Sequence, residues 1–173
     1  MYLCRRKKIN KKSHVRTMRF LGNIEAKTDA KGRVFLPAQF RKVLQAEGET
    51  QLVMRKDIHE DCLVLYPETV WNEQMDVMSS RLNRFNKGQR AIFRQFVSAV
   101  EPLTLDASGR FLIPKRYLEM AKIDQAVRFI GVGDTIEIWA ANEMEESFAD
   151  ADDFGATLEA LMASSSEGVT SDK

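Results

Sequence analysis

Two five-residue phrases carry the side chains in this sequence best suited to chemistry. Asp29-Ala30-Lys31-Gly32-Arg33 and Asp106-Ala107-Ser108-Gly109-Arg110 each place a carboxylate four residues ahead of a guanidinium, with glycine just before the arginine. Aspartate can hydrogen-bond the backbone that follows it, and glycine accepts positive φ. Each phrase therefore predicts a tight turn, shaped by Asp29 and Gly32 in the first copy and by Asp106 and Gly109 in the second. A tight turn lifts its side chains off the sheet. An arginine there offers a planar fork of donors to phosphate or to the O6/N7 edge of guanine. Lys31 adds a mobile charge for phosphate, and the second copy has Ser108 in its place. Lys31, Arg33 and Arg110 are the candidate polyanion-binding residues. The competing reading is structural, with Asp and Arg bridging each turn only to hold the hairpin.

Other chemistry finds little support. His59, Glu60, Asp61 and Cys62 are superficially metal-like, but four consecutive residues cannot close easily around one tetrahedral zinc. The sequence has no glycine-rich phosphate loop and no Ser-His-Asp or Cys-His set with supporting context. His14 and His59 are its only histidines, which leaves general acid–base catalysis few candidates. No catalytic residue, metal or cofactor is assigned, and the chain is expected not to be an enzyme. Trp71, Trp139 and Tyr66 read as core or interface residues.

The elements that position the turns are themselves repeated. The phrase runs on through Pro37 in one copy and Pro114 in the other, at a constant offset of 77 residues, and such a repeat fixes architecture before any local assignment. Phe20 to Thr28 reads as a strand leading into the first turn, and Arg33 to Leu36 as a short apolar strand leaving it. Pro37 suits a first helical position. Phe40, Val43 and Leu44 then give a helix an apolar face, and Gly48 a stop. Tyr117, Met120 and Ala121 occupy the equivalent positions behind Pro114. Each copy continues into a strand pair: Leu52–Lys56 with Cys62–Tyr66, and Val127–Val132 with Thr135–Trp139 around the Gly133-Asp134 turn. Between the copies, Trp71, Met75, Met78 and Leu82 recur at helical spacing, Asn86-Lys87-Gly88 breaks the run, and Ile92, Phe93, Phe96, Val97 and Val100 form a second apolar face. The fold class expected is α+β: tandem, pseudo-twofold units with short helices and a central helical hairpin.

The 173 residues suffice for one ordinary domain or two small ones. Two units of roughly 45 residues would each be marginal alone, so the halves are expected to share a core, to self-associate, or both. The net charge of +1 hides an asymmetry. Residues 1–17 hold seven basic residues and no acid, and residues 141–173 hold nine acids against Lys173. The middle is nearly neutral, so nucleic acid would have to bind through a patch and not through bulk charge. The arm Arg5 to Lys12 would bind any polyanion in a salt-dependent way without reading sequence. It is expected to be disordered, and Met18 is an alternative start. No apolar run approaches the ~20 residues of a membrane span. Cys4 and Cys62 have no metal or redox spacing and suit a reducing, cytoplasmic setting. Arg81, Arg84, Lys87, Arg90 and Arg94 form a basic helical surface, which reads as a solvated face, a subunit contact or a second nucleic-acid surface. Met144, Phe148 and Phe154 offer a last helix a weak apolar stripe, and residues 164–168 are expected to be disordered.

Taken in order, Met18 to Gly22, Asp29 to Arg33 with Pro37, Cys62 to Pro67 with Trp71, Asp106 to Arg110, Val132-Gly133 and Glu137 to Trp139 resemble the MraZ family. The resemblance runs from about Met18 to about Glu143. It implies two SpoVT–AbrB-type swapped-hairpin units, forming β-barrels, in one chain. The units are expected at 23–70 and 100–143, joined by a helical connector at 71–99. Residues 1–17 would be a basic extension and 144–173 an acidic tail. It further implies ring-shaped homo-oligomers acting as cytoplasmic, nucleoid-associated repressors. Such proteins bind double-stranded DNA at tandem repeats upstream of the division and cell-wall gene cluster that includes their own gene. The family's DNA-contact motif falls on Asp29, Lys31 and Arg33, and on Asp106 and Arg110. Base contacts are expected from Arg33 and Lys31, and phosphate contacts from Arg110, with Arg41, Lys42 and the central basic helix as further candidates. The alternative is a ring-forming interaction scaffold without sequence-specific DNA reading.

Overall fold

The computed structural model describes residues 19–143 and 151–164. The basic arm, Met18, Met144, Phe148 and residues 165–173 lie outside the described residues.

Each copy supplies strand, turn, strand, helix and strand pair in the predicted order. The first gives β1 (Phe20–Lys27), β2 (Arg33–Phe35), α1 (Ala38–Ala46), β3 (Gln51–Lys56) and β4 (Leu63–Pro67). The second gives β5 (Val100–Thr104), β6 (Arg110–Leu112), α4 (Lys115–Met120), β7 (Ala126–Gly133) and β8 (Ile136–Ala140). Between them stand α2 (Glu68–Arg81) and α3 (Lys87–Ser98), and α5 (Ala151–Ser164) closes the described chain. Both repeat prolines act as N-caps, at Pro37 and Pro114, rather than as first helical residues. The central break is shorter than expected. Asn86 caps α3 by accepting from the Gln89 amide, and Lys87 and Gly88 are already helical.

The two copies are not separate bodies. Six strands form one antiparallel sheet in the order β1-β7-β8-β4-β3-β5, and β2 and β6 form a two-stranded ribbon. β1 of the first copy pairs with β7 of the second, and β5 of the second with β3 of the first. In the ribbon Arg33 faces Leu112, Val34 faces Phe111 and Phe35 faces Arg110. Val34 and Phe111 are themselves equivalent at the 77-residue offset, so a pseudo-twofold axis passes through that pair.

The core forms where this symmetry brings equivalent residues together. Val34 and Phe111, Leu36 and Ile113, Phe40 and Tyr117, and Leu44 and Ala121 are four equivalent pairs, all buried in one cluster. Leu52, Met54, Leu63, Leu65, Val127, Phe129, Ile136 and Ile138 meet them from one sheet face. Alternation turns Val64 and Trp139 to the other face, with Tyr66 and Ile130 packed on them. The helical hairpin covers that second face. Trp71 of α2 meets Tyr66 edge-on and stacks on Phe96 of α3 at 5.3 Å, and the Arg55 guanidinium lies 4.3 Å from the Phe96 ring. Met120, expected on the apolar face of α4, is instead exposed, because the helix ends there.

Candidate nucleic-acid interface

Both predicted turns form, with the same hydrogen bonds. Asp29 Oδ1 accepts from the amides of Lys31 and Arg33, both at 2.9 Å, and Oδ2 accepts from Arg33 Nε at 2.7 Å. Asp106 does the same for Ser108, Arg110 and Arg110 Nε, each at 2.9 Å. Backbone bonds close each turn, from Gly32 to Asp29 and from Gly109 to Asp106. One carboxylate thus shapes the backbone and fixes the base of the arginine. The structural role read for Asp and Arg is therefore present in both turns. Nε is spent on the turn, which leaves the terminal Nη groups as each arginine's remaining donors.

Amide donation from Arg33 and from Arg110, before any side-chain contribution, holds the carboxyls of Asp29 and Asp106 below the ordinary 3.8. A depressed folded value stabilises the turn fully above the unfolded value, and that stabilisation fades as pH falls through the folded value. Between pH 5 and 8 both turns should therefore keep constant order. A titration of the Arg33 and Arg110 Nε–H NMR signals should detect their release only below pH 3.8.

Gly32 and Gly109 both sit at φ +81, a conformation other residues adopt at a cost. Their surroundings differ. A Cβ on Gly32 would fall 2.7 Å from the Ile113 carbonyl oxygen, which is backbone. A Cβ on Gly109 would meet the Arg41 side chain, which can swing away. Gly32→Ala should therefore lose roughly 2 kcal/mol in chemical denaturation, against roughly 1 for Gly109→Ala.

Each tip is built by both copies. The ribbon continues past the paired strands, with the Leu36 amide bonding Gly109 O at 3.0 Å and the Ile113 amide bonding Gly32 O at 2.9 Å. The helix leaving one copy's ribbon strand therefore begins beside the other copy's turn. Arg41, one turn into α1, lies against Gly109, and its repeat equivalent Leu118 lies against Gly32. The first tip carries Lys31 and Arg33. The second carries Arg110 and, from the other copy, Arg41. Lys42 is exposed on α1.

The ribbon's outer face was not anticipated as a surface. Phe35 and Leu112 are exposed between the two arginines, and the Arg110 guanidinium lies 5.6 Å from the Phe35 ring. Strand parity carried the signal, since Arg33 and Phe35 must share a face when Val34 is buried. Arg33 faces Leu112 instead, and its side chain is 39% exposed against 31% for Arg110.

The remaining candidates are placed elsewhere. The His59-Glu60-Asp61-Cys62 run does not converge. Asp57 caps the loop by accepting from the His59 and Glu60 amides, and Asp61 lies 3.1 Å from Lys56 and 2.9 Å from Lys122. Cys62 is buried, which pushes its thiol far up. Arg84, Arg90 and Arg94 line a groove between α2 and α3. That hairpin packs on the sheet face opposite the ribbon, so these arginines share no surface with the tips. Among the described residues, no helix is long and apolar enough to cross a membrane.

The duplicated turn on a pseudo-twofold ribbon coincides with a known family's double match. The family described as "MraZ protein, putative antitoxin-like" matches residues 19–95 and again residues 96–162. The chain belongs to the MraZ family. Its sequence is 63% identical over 145 residues to the transcriptional regulator MraZ of Phocaeicola vulgatus, covering 84% of this chain and 94% of that protein. The transcriptional regulator MraZ of Bacteroides fragilis is 59% identical over the same share of this chain and 92% of its own length. That of Christiangramia forsetii is 34% identical over 82% of this chain and 92% of its own. The MraZ match divides the chain within α3, between Gln95 and Phe96, and so assigns one turn and one ribbon strand to each half.

Proposed function

We propose that this MraZ-family chain is a transcriptional regulator that binds double-stranded DNA through its two composite tips. The observation that carries the reading is the duplicated Asp–Arg turn, hydrogen-bonded alike in both copies and presented by one ribbon. Arg33 and Lys31 read base edges. Arg110 contacts phosphate, with Arg41 beside it at the same tip. The exchange of β1 and β5 between copies, and the pairing of β2 with β6, fit the swapped-hairpin architecture of SpoVT–AbrB-type units at 23–70 and 100–143. Single tips would bind weakly. Chains associated into a ring would place several tips on tandem repeats and gain by effective concentration. In this reading those repeats lie upstream of the division and cell-wall genes, including the chain's own gene, and the outcome is repression, on the nucleoid in the cytoplasm.

A gel-shift titration tests this with DNA from upstream of the chain's own gene and a scrambled duplex, each at two salt concentrations. Preference for the native repeat that survives higher salt is the expected result. Equal binding to both duplexes would favour the ring-forming scaffold that does not read sequence.

A further inference from the structure

Two surfaces outside the tips complement one another. The first is the groove between α2 and α3, about 400 Å³, with an apolar floor from Leu82, Phe93 and Val97. Arg84, Arg90 and Arg94 rim it, and no acidic residue lines it. α3 is strongly amphipathic in sequence, yet none of its residues is fully buried. Its contacts through Phe96 occupy one flank and leave Phe93 and Val97 facing the groove. The second surface is α5. Phe154, Leu158 and Met162 recur every four residues and so share one helix face, and they are 57%, 44% and 66% exposed. Asp153 and Glu159 flank that stripe, and α5 holds no lysine or arginine.

An apolar groove rimmed by cations fits an acidic amphipathic helix laid apolar face down. Among the described residues, nothing in the same chain covers either surface. We propose that α5 of one copy docks in the α2–α3 groove of a second copy, with Phe154, Leu158 and Met162 on the apolar floor and Asp153 and Glu159 against Arg90 and Arg94. The acidic segment is then a subunit connector. The inference rests on the self-association in the proposed function and names its contact. The groove lies across the sheet from the tips, so docking leaves both tips open to DNA.

The test uses the full chain and reads mass by sedimentation velocity at one fixed concentration. Wild type should sediment as a multi-subunit species. Leu158→Glu and Arg94→Glu should each shift most of the material to smaller species, and Glu159→Arg combined with Arg94→Glu should recover at least half of the loss. Because α5 and the groove rim are exposed, each variant should keep its fold, with a far-UV circular dichroism spectrum matching wild type; loss of assembly lowers only the apparent melting temperature, by mass action. A single-subunit wild type, or unchanged mass in both single variants, would overturn the proposal, the second result pointing to some other occupant of the groove. Anisotropy with a one-repeat duplex, measured in parallel, separates this from the DNA reading. Loss of assembly with one-repeat affinity intact supports the connector. Absence of any DNA binding would sink the proposed function without touching the mass result.

Discussion

Arg33→Ala is expected to weaken binding to the native upstream duplex about 10–100-fold, since a bidentate arginine contact to guanine supplies roughly 1–3 kcal/mol of discrimination. Binding to a scrambled duplex should change far less, so sequence preference should collapse. Arg110→Ala should weaken both duplexes by a similar and smaller factor, about 3–10-fold, and flatten the dependence of log affinity on log salt. The ordering follows from the tips. Lys31 stands at the apex beside Arg33, whereas Ser108 stands beside Arg110. Arg110 also rests near the Phe35 ring and is less exposed than Arg33. Arg41, the second cation of that tip, comes from a neighbouring helix and lies against the turn's Gly109 rather than at its apex, a place suited to backbone phosphate. Competition anisotropy on wild type and both variants, at two salt concentrations, measures all of this. Equal losses, or a larger loss from Arg110→Ala, would overturn the ordering. Each variant removes the Nε bond to its own aspartate, and Arg110→Ala also the contact with the Phe35 ring, while Oδ1 still holds the turn through the backbone amides. The variants should therefore keep their fold, and the losses report on DNA.

Much of this arrangement was legible because the repeat acts at two levels. Locally, Asp29 and Gly32 dictate a turn whatever surrounds them, and the hydrogen bonds found are those the residue types predict. Globally, two units each too small to stand alone implied a shared core, self-association, or both, and residues equivalent at the offset do meet in one core. What the sequence hid was pairing between copies. No local signal says that β1 joins β7 rather than a strand of its own half, because strand pairing depends on long-range burial and not on propensity. The composite tips follow from that exchange, so Arg41 could be suspected as a cation but not placed at the second turn. In the tail a last helix carrying Phe154 was expected, and α5 forms, but its apolar stripe runs on through Leu158 and Met162, which the surrounding acids and serines masked. Ser164, expected in a disordered run, is the last residue of α5, and 165–168 lie outside the described residues.

The exchange of β1 depends on a residue that carries no chemistry. Gly131 of β7 pairs with Gly22 of β1. A Cβ added at Gly131 would collide with the Phe20 carbonyl carbon and the Leu21 nitrogen, and would lie 2.5 Å from the Phe20 oxygen. These are backbone atoms of a strand held at both ends of its register, so no rotamer change relieves the clash. Gly131→Ala must push β1 off β7, and Phe20, fully buried and edge-on to Phe40 at 5.7 Å, would leave the core with it. The expected cost is roughly 3 kcal/mol or more, at the destabilised end of single substitutions. Gly133→Ala is the matched control on the same strand. That glycine sits at φ +89 with open space around it, so alanine there pays only backbone strain, about 1 kcal/mol. Urea denaturation of the two variants should separate them by at least roughly 2 kcal/mol, with hydrogen exchange of the β1 amides accelerated only in Gly131→Ala. Equal stabilities would mean that β1 can retreat without cost, and that the exchanged strand does not hold the two copies together. If the gap appears, the close approach of Phe20 and Leu21 to Gly131 joins the pairings of β5 with β3, β4 with β8 and β2 with β6 in committing each half of this chain to the other.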